Sequence, residues 1–142
     1  MGAVKIKAAD SWFSKCIRER AGWKCERCGA QHEKNSQGLH CSHYYGRGSW
    51  GVRFDPDNCE ALCYGCHSYM GANPSLHREH KIEMIGIGLM EILTAKKNDS
   101  SLGRLAKRAE KEISKHYREQ LKIMESKRDV GETGRIEFES YF

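Results

Sequence analysis

The chain has 142 residues, a net charge of +5, and 39% hydrophobic against 30% charged residues. That mixture excludes a disordered or low-complexity chain and fits one modest domain, or a small domain with an appendage. The longest run of apolar residues and glycine, Met84 to Met90, is far below the roughly 20 residues that span a bilayer. Met1 to Asp10 holds no secretory apolar core, and Ile6 stands where a myristoylation signal needs a hydroxyl. No membrane and a cytoplasmic location are therefore expected, and the basic balance favours a polyanion such as nucleic acid as partner.

Residues 1–22 read as an N-terminal helix. Asp10 or Ser11 can cap it, Trp12, Phe13, Cys16 and Ile17 share one face, and Gly22 ends it. Residues 23–80 form the expected core, and 23–72 have the Cys, His, Gly and Asn content of a metal-supported module of loops and hairpins. A short strand is expected at 39–45, and an extended segment turning into a helix at 58–70. Residues 81–142 read as a helical C-terminal region. Asn73-Pro74 starts a helix carrying Ile82, Ile85, Leu89, Ile92 and Leu93. Gly86 and Gly88 weaken that helix or mark a close contact. After a polar turn at 96–101, one long amphipathic helix is expected from Ser101 to Arg128. It carries nine cations against four carboxylates, a surplus equal to the whole net charge. A solvated face, a phosphate-contacting face or a dimer contact would each use that pattern. The tail from Gly134 to Phe142 could add a short strand.

Seven cysteines, an odd number in a chain with no export signal, favour metal over a disulfide framework. Cys25-Glu26-Arg27-Cys28 and Cys63-Tyr64-Gly65-Cys66 are two knuckles. Four converging thiolates suit a structural zinc, because they leave no open coordination position. The separation between the knuckles predicts an insert with a function of its own. Cys16, Cys41 and Cys59 read as small buried hydrophobes, with Cys41 or Cys59 as substitute zinc ligands the alternative.

The insert holds His43, then Asn58, then His67 directly after Cys66. That order and spacing, abutting a knuckle, resembles the HNH nuclease family over residues 23–74. The phrase CSHYYGRGSWGVRFDPDNCEALCYGCHSYMGANP is most similar to phage recombination endonucleases of the Rap/NinG kind. The resemblance implies an α+β fold: a zinc-stapled ββα-metal core between an N-terminal helix and a helical extension. It implies a metal-dependent DNA endonuclease acting on branched recombination intermediates, in which His43 is the general base and Asn58 holds the loop that bears it. His67 would ligate a catalytic Mg2+ or Mn2+. Most HNH enzymes carry Asp or His just before the base. Here Ser42 stands there, a weak ligand, so Asn58, His40, His77 or His80 could complete the site. Arg47 and Arg53 are candidates for gripping DNA phosphates and Tyr44 for stacking. Trp23 and Trp50 are expected around the knuckles. A two-fold junction substrate suggests a homodimer. A neutral histidine base implies activity falling below about pH 6. A non-catalytic zinc module binding nucleic acid and a non-specific or site-specific HNH nuclease are the alternatives.

Overall fold

The structure is a computed structural model describing residues 4–142. It is α+β: six helices around one two-stranded antiparallel sheet. Helix α1 spans Ala8–Arg20. Its N-cap is Lys7, ahead of the expected Asp10 or Ser11, and the Lys7 N–H donates to the Asp10 carboxylate at 2.8 Å. Ala9, Phe13, Cys16 and Ile17 form its buried stripe.

Strand β1 (Leu39–His43) pairs with β2 (Cys59–Cys63), from Leu39 opposite Cys63 to His43 opposite Cys59. The first knuckle docks on β2, where Ala61 N–H donates to the Glu26 carboxylate and its carbonyl accepts from Glu26 N–H, both at 2.7 Å. Trp23 packs there with Leu39, Leu62 and Met70. Trp50 does not: it lies against Phe54 beside the main core, with Arg53 over its ring. The connection between the strands closes tightly at Gly51, where a Cβ would stand 2.6 Å from the Lys96 carbonyl oxygen.

Helices α2 (Tyr64–Ala72), α3 (Pro74–Ile85) and α4 (Ile87–Lys97) follow. The expected single helix is broken at Gly86, whose φ of 85° only glycine adopts without strain. No atom lies close to its missing Cβ, so backbone conformation and not helix contact explains the residue. Helix α4 sets Met90 and Leu93 against Val52.

The long basic helix is two pieces, α5 (Ser100–Arg108) and α6 (Glu110–Asp129). Asp99 caps α5 by accepting from Ser101 and Leu102 N–H. The break at Ala109 is slight, since Ala109 and Ile113 N–H keep their bonds four residues back. Ile113, Tyr117, Leu121 and Met124 of α6 are buried with the α1 stripe in one core that also holds Cys41, Phe54 and Cys59. That core draws on all three stretches of the sequence. It takes up most of the apolar face of the basic helix and leaves Leu105 44% exposed. Arg128, at the end of α6, pairs inward with Glu19 at 3.1 Å. The tail forms no strand: Ile136 is buried, and Phe138 and Tyr141 lie on the core. Among the described residues no helix is long and apolar enough to cross a membrane.

Candidate metal centre and histidine cleft

The Sγ atoms of Cys25, Cys28, Cys63 and Cys66 all lie within 4.8 Å of one another. Sulfurs at the corners of a zinc tetrahedron stand about 3.8 Å apart, and Cys28 and Cys63 are at 3.9 Å. Cys63 is the N-cap of α2 and accepts from Cys66 N–H at 3.4 Å. Burial pushes the Cys25 thiol up, but backbone hydrogen bonds from Cys28, Cys63 and Arg27 outweigh it and bring it down to about 6. Burial, with the neighbouring sulfurs, pushes Cys66 up to about 12. A dication there would take all four sulfurs as thiolates, so the tetrad could bind zinc. Arg27, which the sequence presents as an ordinary surface residue, donates to Cys66 Sγ at 3.4 Å and lies over Tyr69.

His43 ends β1 and is half-buried, with its ring 6.2 Å from that of Phe13. Its Nε2 lies 3.1 Å from the Arg53 carbonyl oxygen. An oxygen there only accepts, so Nε2 carries the hydrogen and Nδ1 of the neutral ring has the lone pair. Burial first, and then the Arg47 charge, push His43 down to about 4. The neutral ring therefore persists well below the pH 6 expected from an ordinary histidine.

Asn58 is 0% exposed. Its Oδ1 accepts from Tyr45 N–H at 2.9 Å, while Nδ2 donates to the carbonyls of Tyr45 (2.9 Å) and Val52 (3.0 Å). The amide is committed to the backbone of the loop after His43, which argues against Asn58 as a cation ligand. Arg53 departs further from expectation. It is 1% exposed and forks onto Asp10, Nη2 to Oδ2 at 2.6 Å and Nε to Oδ1 at 3.0 Å. A guanidinium so buried and paired cannot reach DNA phosphates; instead it anchors the loop whose carbonyl holds His43. Burial raises the Asp10 carboxyl, but Arg53 outweighs that and holds it below the usual carboxylate range.

Ser42, His43, Tyr44, Tyr45 and Gly46 form one wall of a cleft of about 420 Å³; His67, Met70, Gly71, Pro74 and His77 form the other. Ser42 Oγ is buried without a hydrogen-bond partner among the described residues. Tyr44 stacks edge-on with His77 at 4.9 Å. Arg47 is half-buried, 3.7 Å from Asp10, and close enough to His43 and His67 to lower both. His67 meets His40, Nδ1 to Nδ1, at 3.0 Å. His80 is taken by Glu60 at 2.5 Å, which also faces the buried Lys81. Sequence spacing does place His40 on the Ser42 face of β1, but only the fold brings it to His67. Asp10 carries no signal in the sequence for its part, 43 residues from Arg53.

Cys41, His43 and Cys59 form a second group with ligand atoms within 4.8 Å. Burial holds the Cys59 thiol up, while its hydrogen bond holds Cys41 down. This trio could also take a zinc ion.

No curated protein and no solved structure matches the chain. The family described as Bacteriophage Lambda NinG protein matches residues 4–127. That span runs from before α1 almost to the end of α6 and takes in both knuckles and the whole cleft, so the chain belongs to the Bacteriophage Lambda NinG protein family.

Proposed function

We propose that the chain is a metal-dependent DNA endonuclease of the HNH kind, acting in the cytoplasm on branched recombination intermediates. Membership of a phage family related to recombination supports the substrate class. The observation that carries the reading is a hairpin and its following helix facing each other across a cleft, with His43 on one wall and His67 on the other. A ββα-metal core likewise sets a hairpin against the helix that follows it, which supports the reading. His43 Nδ1 takes the proton of the water that attacks phosphorus, and its Nε2–H stays on the Arg53 carbonyl. Asn58 keeps the loop closed around that carbonyl. Arg47 and Tyr44 meet the DNA at the rim. A Mg2+ or Mn2+ ion at His67 would supply charge stabilisation for the phosphorane and the leaving oxygen. The zinc tetrad fixes the separation of strand and helix, and so of base and cation.

The test is cleavage of a labelled four-way junction and a matched linear duplex, with Mg2+ or Mn2+, by wild type and His43→Ala of equal zinc content. The account expects junction cutting that drops at least about 100-fold in the variant. Equal cutting by both proteins would overturn it. A ladder from the linear duplex would point instead to a non-specific cutter.

The Cys41–His43–Cys59 trio favours a second reading, a non-catalytic zinc module that binds nucleic acid. A metal there would occupy the base. Two tightly held zinc ions per chain, with DNA binding but no cleavage, would establish it; one zinc supports the nuclease.

A further inference from the structure

The face of β1 turned toward α2 holds a group that its neighbours do not account for. His40 and Ser42, two residues apart, lie on that face. His40 Nδ1 is 3.0 Å from His67 Nδ1, with the rings crossed at 78° and their centroids 5.2 Å apart. Ser42 is 2% exposed and lines the cleft with His67, and its Oγ has no hydrogen-bond partner among the described residues. Both histidines sit one residue from the zinc staple: His67 follows Cys66, and His40 follows Leu39, which pairs with Cys63. The staple thus sets their separation.

We propose that His40 and His67, with Ser42 Oγ, form the divalent-cation site of this chain, and that the site takes a first-row transition ion such as Mn2+ in preference to Mg2+. His40 then supplies what an acidic residue or histidine just before the base would supply. Two ligands in adjacent positions of an octahedral ion, with bonds of about 2.1 Å, stand about 3.0 Å apart, the separation seen here. Of the other candidates, Asn58 is committed to the loop backbone and His80 to Glu60, while His77 stacks edge-on with Tyr44 across the cleft, and only His40 stands at ligand distance from His67. Two imidazoles, a hydroxyl and waters, without a carboxylate, suit Mn2+ or its heavier neighbours better than Mg2+, which prefers charged oxygen. The catalytic purpose of the site rests on the nuclease reading, but its occupancy does not.

The test reads binding, not cutting. Zinc-loaded protein is titrated with Mn2+ and free ion is followed by electron paramagnetic resonance, since Mn2+ competes poorly for thiolates. Wild type binds one Mn2+, and millimolar Mg2+ displaces it poorly. His40→Ala weakens Mn2+ at least about tenfold, as even outer partners of metal ligands contribute about 10–100-fold, while zinc content and thermal midpoint hold. His40→Gln keeps a hydrogen-bonding partner for His67, so it would rescue a structural role but does not rescue Mn2+ affinity. Ser42→Asp adds a carboxylate and makes Mg2+ an effective competitor. Unchanged Mn2+ affinity in His40→Ala, or full affinity in His40→Gln, overturns the proposal and leaves an ordinary hydrogen-bonded histidine pair. Binding lost with His40 in a protein that cuts no DNA keeps this site and removes the nuclease. Cutting retained with Mn2+ affinity unchanged in His40→Ala does the reverse.

Discussion

At the Leu39–Cys63 end of the hairpin, four sulfurs converge and a metal can hold strand to helix. At the His43–Cys59 end the described residues offer a group of three, Cys41, His43 and Cys59, and Asn58 and the Arg53–Asp10 pair hold the loop by hydrogen bonds and buried charge. A metal at the first end would make it rigid by coordination, beside lesser ties to Arg18 of α1 and Arg135 of the tail. The second is held from within by Asn58 and from outside by Asp10 of α1. The comparison teaches that the expected base, His43, is positioned from the N-terminal helix as much as from the metal module.

Breaking the staple gives the largest effect. Cys28 is exposed, so Cys28→Ser removes a ligand without opening the core. Zinc content should fall to none and amide protection of β1 and β2 should vanish, because structural zinc is worth about 10–16 kcal/mol in small zinc modules. A zinc-free variant with a protected hairpin would show that the sulfurs are not the staple. Breaking the other end is smaller. Asp10→Asn leaves a guanidinium buried without its charge partner, and the denaturant midpoint should report a loss of about 3–5 kcal/mol with zinc retained. A loss below 1 kcal/mol would mean that Arg53 is satisfied by the carbonyls of Lys5 and Arg47 alone.

Asn58→Ala sharpens the contrast within that same end. It strips three hydrogen bonds from the loop and should destabilise by about 1–3 kcal/mol, lowering cleavage while zinc stays bound. Cleavage equal to wild type would separate loop closure from catalysis. The smallest change in stability belongs to Arg47→Ala, about 0.5 kcal/mol or less for a partly exposed side chain. Its mark is on DNA binding: the slope of log affinity against log salt should fall by about 1. Arg53→Ala should do the opposite, costing stability while affecting DNA contact only through the loop.

Much of the metal-bearing end was legible in the sequence, because Cys25, Cys28, Cys63 and Cys66 advertise their chemistry by local spacing alone. The α1 stripe was legible for the same reason, since Phe13, Cys16 and Ile17 recur at helical period. The history of Arg53 is different. A sequence shows an arginine in a glycine-rich loop, and nothing local distinguishes a phosphate grip from a buried anchor whose partner lies 43 residues upstream. The meeting of His40 with His67, 27 residues apart, is equally a product of strand–helix packing. The basic helix divides its pattern: its apolar stripe is used inside the chain against α1 and Arg128 turns inward to Glu19, while most of its other cations stay on an exposed face.

The most direct measurement is the pH dependence of four-way junction cleavage with Mn2+, in wild type and His43→Ala, with zinc content checked at each pH. The general base must be neutral to act, and burial holds His43 near 4, below the ordinary histidine value. The neutral fraction is therefore lost only as pH falls through that value. The account predicts that the wild-type rate per zinc-loaded chain holds from pH 7 to pH 5, and that the variant is slow throughout. An undiminished rate in His43→Ala, or a wild-type rate that halves near pH 6.5 with zinc still bound, would contradict it.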